Sequence, residues 1–483
     1  MITFITSFLL LILGYAIYSR VVERIFQPDS KAQTPCYKLQ DGVDYIPMPT
    51  WKVFLIQFLN IAGTGPIFGA IQGILFGPAA FFWIVLGCIF GGAVHDYMSG
   101  MISLRSNGVS LPEIVGDQLG NATRHTLRVF TLVLLVLVGA VFVTTPAVLL
   151  DNISGDFGSF TFWVVVILAY YLIATLLPID KIIGNLYPLF GFALLIMAVG
   201  LFGGIFLCDG NIPEVTEAFT NHHPIGTMPI FPGLFITIAC GSVSGFQASQ
   251  SPMMARCMKN ERLGRRIFYG AMITEGFVAL IWAAAAIKFA DSLGVAGDTP
   301  YEKLLNYMTD PETSKMNPAL LVNGICHSWL GTVGAVLAIL GVVAAPITTG
   351  DTAFRSARLI AADMLHIKQN KIYKRIVLCL PLFGGAVALM FIKFDILWRY
   401  FGWSNQTLSI FTFLTITVWL ARRRKAYWIT LIPTLFMLFI CASYICIAPE
   451  GFSLDHTLSY SIAIVVTIIC LVWFFMWKKR VEK

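Results

Sequence analysis

Three ionisable side chains lie within long apolar stretches, where they could bind and release a proton. His95 and Asp96 are adjacent, and Glu275 is the only ionisable residue between Gly270 and Ile287. Charged groups are costly inside a membrane, so such residues are candidates for ion or proton transfer. Successive residues on a helix point about 100° apart, so we expect that His95 and Asp96 do not face each other. The sequence predicts that Asp96, oriented or charge-balanced by His95, carries a coupling proton, with Glu275 as the second candidate. The alternative is that these groups tie helices together through hydrogen bonds.

A second set of side chains carries oxygen atoms that could bind a sodium ion. Thr348, Thr349 and Asp351 lie close together in the sequence. Hydroxyl, carboxylate and carbonyl oxygens are the ligands that hard cations prefer, and carbonyl groups near Gly63 would add to the set. Asp351 also precedes Arg355 by four residues, the spacing of an ordinary helical ion pair, and this alternative stays open. Nothing in the sequence predicts another metal or a cofactor.

Two apolar stretches contain residues that interrupt a helix. Glycine frees the backbone and proline removes a donor, and in a membrane such a break survives only where it lines a cavity or is buried in protein. Backbone N–H groups at the start of a half-helix favour a carboxylate. We therefore expect both breaks to bind a carboxylate-bearing substrate, although close packing of small residues is the alternative. The predicted substrate-binding residues are Gly63, Thr64, Gly65, Pro66, Ser242, Ser244, Gly245 and Gln247.

The positions of Lys and Arg indicate which segments cross the membrane, and these segments carry the candidate residues. Apolar residues make up 57% of the chain and charged residues only 12%, which is typical of a polytopic, all-α membrane protein. Because cytoplasmic loops collect Lys and Arg, the sides of the membrane can be assigned from the loops. With thirteen transmembrane helices, 28 of the 33 Lys and Arg fall on one side. The predicted spans are 2–19, 51–75, 79–104, 127–150, 159–177, 183–207, 230–250, 267–290, 320–350, 376–394, 396–420, 427–448 and 457–477.

This arrangement predicts a multi-pass protein of the inner membrane with its N-terminus outside and its C-terminus in the cytoplasm. Residues 1–50 form an N-out anchor helix and a cytoplasmic loop. The net charge of +7 fits contact with anionic lipid headgroups and gives no support to nucleic-acid binding.

The two breaks lie five spans apart, so their helices enter the membrane from opposite sides. Broken helices at matching positions of two inverted halves indicate the midplane site of a transporter. The halves would be 51–208 and 230–421, followed by two additional C-terminal helices in 422–483. This pattern resembles the five-plus-five inverted repeat of LeuT-type transporters. A polar patch of Arg399, Trp403, Asn405 and Gln406 is interpreted as helix packing.

No enzyme signature accompanies these features: the sequence has no Walker lysine loop, no G-x-S-x-G and no H-E-x-x-H. The chain is therefore not expected to be an enzyme. A His222-His223 pair on a predicted outer loop has no further metal ligand at useful spacing.

Several motifs together resemble the carbon starvation protein A (CstA) family. They are Asp41–Pro47, Gln57-Phe58 followed by Ile61–Ile67, Gly92–Tyr97, Ser244–Ala248, and Asp351-Thr352 with Arg355, Ala357 and Arg358. The resemblance covers nearly the whole chain. It departs from the family at Gln247, where a His is expected, and the chain is shorter than many members.

The resemblance implies a fold of the amino acid–polyamine–organocation superfamily and secondary uptake of peptides or pyruvate during carbon starvation. We expect coupling to protons, with a sodium-coupled importer and a metabolite-binding sensor that transports nothing as alternatives. The absence of a cytoplasmic output domain counts against the sensor. A channel would need a continuous pore, whereas paired broken helices suit alternating access.

Overall fold

The computed structural model describes residues 1–154, 157–176, 183–226, 229–309, 316, 318–369, 371–392 and 394–481. Helices dominate, and across these ranges β-structure is limited to one isolated bridge between Thr309 and Met316. The longer helices are α1 Ile2–Phe26, α2 Thr50–Ala62, α3 Gly65–Phe76, α4 Ala79–Arg105, α5 Leu111–Leu119, α6 Asn121–Ser154, α7 Phe160–Leu176, α8 Ile183–Leu207, α9 Ile230–Thr237, α10 Phe246–Ala255, α11 Glu261–Ser292, α12 Pro300–Met308, α13 Pro318–Ala338, α14 Ala344–Met364, α15 Ile372–Leu389, α16 Phe394–Arg422, α17 Trp428–Ile447 and α18 His456–Val481.

The chain is a multi-pass helical membrane protein. Within the described ranges, eight helices are long and apolar enough to cross a membrane, or nine if the bent pair α2 and α3 counts as one span. Each of the thirteen predicted spans coincides with a helix or a pair of helical segments, but several are short or broken. The number thirteen therefore stays a prediction.

Both predicted breaks are present. Helices α2 and α3 meet at an angle of 50° around Gly63, whose φ of 49° lies in the left-handed region that favours glycine. Helices α9 and α10 are separated by an eight-residue stretch, 238–245, in which Gly241 has a φ of 86°. Neither half of this second pair is long enough to cross a membrane alone.

The predicted ninth span, 320–350, has different bounds in the structure. Helix α13 is broken at Gly331 (φ 60°, ψ −148°), and helical structure then continues through residues 339–343 and α14 to Met364. Arg355 and Arg358, which we expected in a cytoplasmic loop, lie inside α14 with no exposed surface. The expectation was wrong because Arg355 pairs with Asp44, a carboxylate that only the folded chain brings near α14.

The loops meet in two groups at opposite ends of the bundle. The cation-rich end joins Arg105 to Glu261 at 2.8 Å and Arg265 to Glu23 at 2.9 Å. At the other end, Asn211 binds Asp291 and the N-terminal amine binds Glu214. Helix α4 runs from one end to the other, so the central residues of the breaks lie between the two ends.

Candidate functional site

The two helix breaks pack directly against each other. A Cβ atom at Gly65 would overlap Cβ and Sγ of Cys240, and a Cβ atom at Gly69 would lie 3.0 Å from the carbonyl oxygen of Thr237. All four residues belong to the broken helices or to the segment between α9 and α10. The contact depends on glycine at position 65 because a side chain there would overlap the side chain of Cys240. The structure thus brings together the two segments that the sequence paired.

Glu275 holds the second break. Its Oε1 accepts a hydrogen bond from the backbone N–H of Gly241 at 2.9 Å, and its Oε2 accepts one from Nε2 of Gln247 at 2.6 Å. Gln247 lies in α10 and Gly241 in the unwound segment, so one carboxyl group connects both. The side chains of Glu275 and Gln247 have no exposed surface. The carboxyl group of Glu275 is therefore a hydrogen-bond partner of both the unwound segment and the helix that follows it.

Two predicted substrate residues instead bind neighbouring helices. The Ser242 hydroxyl donates to the carbonyl of Trp83 at 2.9 Å, while the indole N–H of Trp83 donates to the carbonyl of Ile238 at 2.9 Å. The Ser244 hydroxyl donates to Oδ1 of Asn405 at 3.1 Å. These hydroxyl groups fix the unwound segment in place.

Asn405 and Gln406 have a role that the packing interpretation missed. Oδ1 of Asn405 accepts the N–H of Phe246 at 2.6 Å, and its backbone carbonyl accepts the N–H of Gly245 at 3.2 Å. Nε2 of Gln406 donates to the carbonyl of Phe235 at 3.1 Å. Helix α16 therefore supplies the partners that the broken helix lacks, as buried backbone groups require. The adjacent amides in an apolar span were the available sequence signal, whereas nothing in the sequence pointed to Trp83.

A polar face on α2 leads to the first break. Gln57 and Asn60 are three residues apart, so they share one face of the helix, and Thr64 follows directly after the break at Gly63. Their side chains have no exposed surface, and their side-chain N and O atoms form no hydrogen bond. Oε1 of Gln247 is also without a partner. Buried polar atoms ordinarily have partners, so these atoms are available to bind the polar groups of a ligand. The sequence indicated Gln57 only as part of a motif and did not indicate Asn60.

His95 and Asp96 contact each other, contrary to our expectation. Nδ1 of His95 lies 2.9 Å from Oδ1 of Asp96, and neither side chain has exposed surface. The angular separation on a helix does not prevent this contact because Nδ1 lies close to the backbone and reaches the neighbouring carboxyl group. The imidazole also packs edge-on against Phe413 at 5.1 Å between ring centroids. Nε2 of His95 and Oδ2 of Asp96 form no hydrogen bond.

The three predicted sodium ligands separate into two places. The Thr349 hydroxyl lies at the first break, 3.0 Å from the carbonyl oxygen of Leu59, and a Cβ atom at Gly63 would be 3.2 Å from it. The Thr348 hydroxyl donates to the carbonyl of Ala345 at 2.8 Å. Asp351 accepts a hydrogen bond from the hydroxyl of Tyr187 instead of facing the break. No cluster of three or more His, Cys, Asp or Glu that could hold a metal occurs in the part of the chain that the structure describes.

Arg355 belongs to a cluster of arginines at the cation-rich end. Its Nη1 lies 3.2 Å from Oδ1 of Asp44, in place of the expected helical pair with Asp351. Burial acts to raise the pKa of Asp44, but the neighbouring guanidinium groups outweigh burial and hold that pKa below its usual range. These groups are Arg355, Arg358, Arg256 and Arg375. The loop before α2 is thereby fixed to α14.

The opposite end contains an open cavity of about 570 Å³. Its deeper lining includes Gln72 of α3 and Thr237 of α9, which belong to the two broken helices. Its rim includes Arg399, Glu450 and His456. A ligand that enters this cavity reaches the broken helices from the end with few cations.

The chain is similar to known proteins along most of its length. The family described as "Carbon starvation protein CstA" matches residues 1–157, 156–309 and 314–443. A Haemophilus influenzae protein named "Uncharacterized membrane protein" is 45% identical over 331 residues, which are 58% of this chain and 89% of the relative. "Peptide transporter CstA" of Mycobacterium tuberculosis is 27% identical over 549 residues, covering 88% of this chain and 72% of the relative.

Two further proteins extend the comparison. "Pyruvate/proton symporter BtsT" of Escherichia coli is 27% identical over 348 residues, covering 59% of this chain and 48% of the relative. Among solved structures, a manganese transporter mutant of Eremococcus coleocola has a TM-score of 0.55 at 14% sequence identity. That likeness covers 92% of this chain and 99% of the solved chain, so the two share a fold.

Proposed function

Since the chain belongs to the carbon starvation protein CstA family, we propose that it is a proton-coupled secondary transporter of small nutrients that carry a carboxylate. Relatives in Mycobacterium tuberculosis and Escherichia coli are named as transporters, which supports a transporter rather than an enzyme. The substrate would be a peptide or pyruvate, imported across the inner membrane during carbon starvation. The observation that carries the proposal is the direct contact of the two helix breaks, with Glu275 bound to the second one.

The proposed substrate site lies beside the contact between the breaks. Gln57 and Asn60 on α2, together with Thr64 after the break, offer donors and acceptors without protein partners, and Gln247 adds one acceptor. Asn405 holds the N–H groups of Gly245 and Phe246, and the partial positive charge at the N-terminus of α10 still favours a nearby carboxylate. Gly63, Gly65 and Pro66 position the backbone on the other side, and Ser242, Ser244 and Gly245 hold the unwound segment.

The coupling proton has two candidate carriers, Asp96 and Glu275. Contacts within the site favour Glu275, because its carboxylate accepts hydrogen bonds from Gly241 and Gln247 on either side of the break. Protonation removes negative charge and acceptor capacity, so it would loosen the break at the same time as it neutralises the carboxyl group. The carboxyl group of Asp96 is instead held by His95, which suits a role in orienting or relaying the proton.

The two ends of the molecule fit an outward-open state of an alternating-access cycle. The cavity opens at the cation-poor end, which the charge rule assigns to the outside, with the C-terminus in the cytoplasm. At the cation-rich end, the Asp44–Arg355 pair fixes a loop to α14 and the Arg105–Glu261 pair joins the ends of α4 and α11. Import would require the first end to close and the second to open. The two halves, 51–208 and 230–421, are the units proposed to move.

Uptake into proteoliposomes tests the proposal. We expect labelled pyruvate or a labelled dipeptide to accumulate when the lumen is made alkaline relative to the medium, and to equilibrate without accumulating once a protonophore collapses the gradient. Binding of the substrate without uptake, whether or not the proton gradient is present, would contradict transport and favour a sensor.

Sodium coupling is the second candidate, favoured by the Thr349 hydroxyl beside the carbonyl of Leu59 at the first break. In that case a sodium gradient would drive uptake at equal pH on both sides. The matched variant Thr349→Val, which keeps the shape of the side chain but removes the hydroxyl, would then lose sodium dependence. Accumulation driven only by the proton gradient in both proteins would reject the sodium site.

A further inference from the structure

The cavity at the cation-poor end contains one strongly basic and one acidic side chain. Of the described residues that line it, Arg399 is the only Lys or Arg and Glu450 is the only Asp or Glu. Nε of Arg399 lies 3.1 Å from Oε1 of Glu450. The Arg399 side chain is 40% exposed, whereas Glu450 is only 8% exposed. The guanidinium group can therefore reach a ligand in the cavity while it remains next to Glu450.

The same oxygen atom of Glu450 also contacts a tyrosine. The hydroxyl of Tyr444 donates to Oε1 of Glu450 at 2.7 Å. Oε2 of Glu450 has no hydrogen-bond partner. Tyr444 belongs to α17 and Glu450 follows the end of that helix, while Arg399 lies on α16. Glu450 is thus fixed to α17, and its contact with Arg399 links two helices across the mouth of the cavity.

The position of Arg399 places it above the second break. Asn405, which binds the N–H groups of Gly245 and Phe246, follows six residues later on the same helix. At about 1.5 Å per residue, Arg399 is about one and two-thirds turns, or roughly 9 Å, nearer the open end. Gln72 and Thr237 also line the cavity, and they belong to the broken helices α3 and α9. A ligand that approaches the breaks from the cavity passes the guanidinium group first.

We propose that Arg399 forms an outer binding subsite that captures the carboxylate of the substrate, and that Glu450 competes for it. A guanidinium group binds a carboxylate through two parallel N–H groups, which gives both affinity and orientation. The neighbouring Trp398, Phe76 and Ile236 give this part of the cavity an apolar wall. A small organic acid or the C-terminal end of a short peptide matches the combination. This inference rests on the proposed function, because it names a subsite on the path to the same site.

The experiment compares binding and uptake in four variants of the full chain. Arg399→Gln removes the charge, Arg399→Lys keeps the charge without the planar group, and Glu450→Gln removes the competing charge but still accepts the Tyr444 hydrogen bond. Lys303→Gln is the control, because Lys303 lies in α12 at the same end but does not line the cavity. The probes are pyruvate, alanyl-alanine and the uncharged methyl ester of pyruvate.

In the uptake assay, we expect Arg399→Gln to raise KM about tenfold for the carboxylate that is transported, with kcat within about twofold. Arg399→Lys should recover part of this loss, and Glu450→Gln should lower KM about threefold because the competing carboxylate is gone. An unchanged KM in Arg399→Gln would overturn the inference. So would an equal increase of KM in Arg399→Gln and Glu450→Gln, since that result would make the pair structural.

Binding separates failure of this inference from failure of the proposed function. Thermal unfolding with and without each probe should show stabilisation of the parent and of Lys303→Gln by a carboxylate but not by the ester. Arg399→Gln should lose that difference. Binding that depends on Arg399 without uptake would reject transport and keep the subsite. Equal stabilisation by pyruvate and its ester, or none by either acid, would reject the subsite whatever the uptake result.

Discussion

Glu275 is a buried acidic residue that contacts the proposed site directly. It accepts a backbone N–H from the unwound segment and a side-chain N–H from α10, so it contacts both parts of the second break. Asp96 has a different environment, with one oxygen next to His95 and the other without a partner. The two acids can therefore be distinguished by substitution.

We expect Asp96→Asn to keep proton-driven accumulation within about threefold of the parent. Asn retains an Oδ1 that can face Nδ1 of His95, so most of the local hydrogen bonding survives. The measurement is steady-state accumulation of labelled substrate in proteoliposomes across a range of external pH. If Asp96→Asn loses accumulation but still exchanges substrate, Asp96 is the proton carrier and Glu275 is structural.

At the scale of the elements, the structure depends on glycines where the broken helices touch. Gly65 lies so close to Cys240 that any side chain at position 65 would overlap the side chain of Cys240. We expect Gly65→Ala to abolish uptake and to lower the free energy of unfolding by about 1–3 kcal/mol, as overpacking usually does. Thermal unfolding and uptake are measured on the same preparation.

A compensating variant and a control make this prediction specific. The double variant Gly65→Ala with Cys240→Gly removes the atoms that overlap and should recover part of the stability and the uptake. Gly203→Ala is the control, because no atom lies within 4 Å of a Cβ atom at that position of α8. Normal uptake by Gly65→Ala would show that the two breaks need not approach so closely.

The loop before α2 provides a second prediction for an element. Asp44→Asn leaves the surrounding arginines without their carboxylate and should destabilise the chain by about 3 kcal/mol at neutral pH. Because the pKa of Asp44 is lowered in the folded state, its stabilising effect is fully present above the ordinary value near 4 and disappears as pH falls through the lowered pKa. The difference in stability between parent and Asp44→Asn should therefore shrink below about pH 4. A stability difference between the two proteins that is independent of pH would mean that the charge of Asp44 does not contribute to stability.

The elements also show how far the sequence was informative. The glycines and prolines predicted both breaks because their backbone chemistry is local. The partners of the breaks were not predictable, because Asn405 and Glu275 approach from helices that are distant in sequence. The continuation of helix through Arg355 and Arg358 was missed for the same reason: only the folded chain places Asp44 beside them. The unpartnered Gln57 and Asn60 could be recognised only once their surroundings were known.

At the scale of the whole molecule, the arrangement of charge and the position of the cavity give the same polarity. The loops that carry most cations meet at one end, and the cavity opens at the other. We expect a cysteine introduced at the exposed Asp455 to react with a membrane-impermeant maleimide from outside intact cells. A cysteine at the exposed Arg262 should react only after the membrane is opened.

The parent chain is the control for this labelling, because eight of its ten cysteines are buried and two are partly buried. Reaction of both introduced cysteines from the same side would contradict the predicted topology. If the cysteine at Arg262 reacts from outside and the cysteine at Asp455 does not, the loops still alternate between the two sides, but the cavity opens to the cytoplasm.

The central claim is that protonation of Glu275 is coupled to movement of the second break, and the comparison of net uptake with exchange in Glu275→Gln tests it most directly. Gln preserves the size of the side chain and an acceptor for the N–H of Gly241, but it cannot bind and release a proton. In proteoliposomes with an imposed proton gradient, we predict that Glu275→Gln loses accumulation while labelled and unlabelled substrate still exchange at a rate within about tenfold of the parent. Accumulation by Glu275→Gln that equals the parent and keeps the same pH dependence would contradict the account.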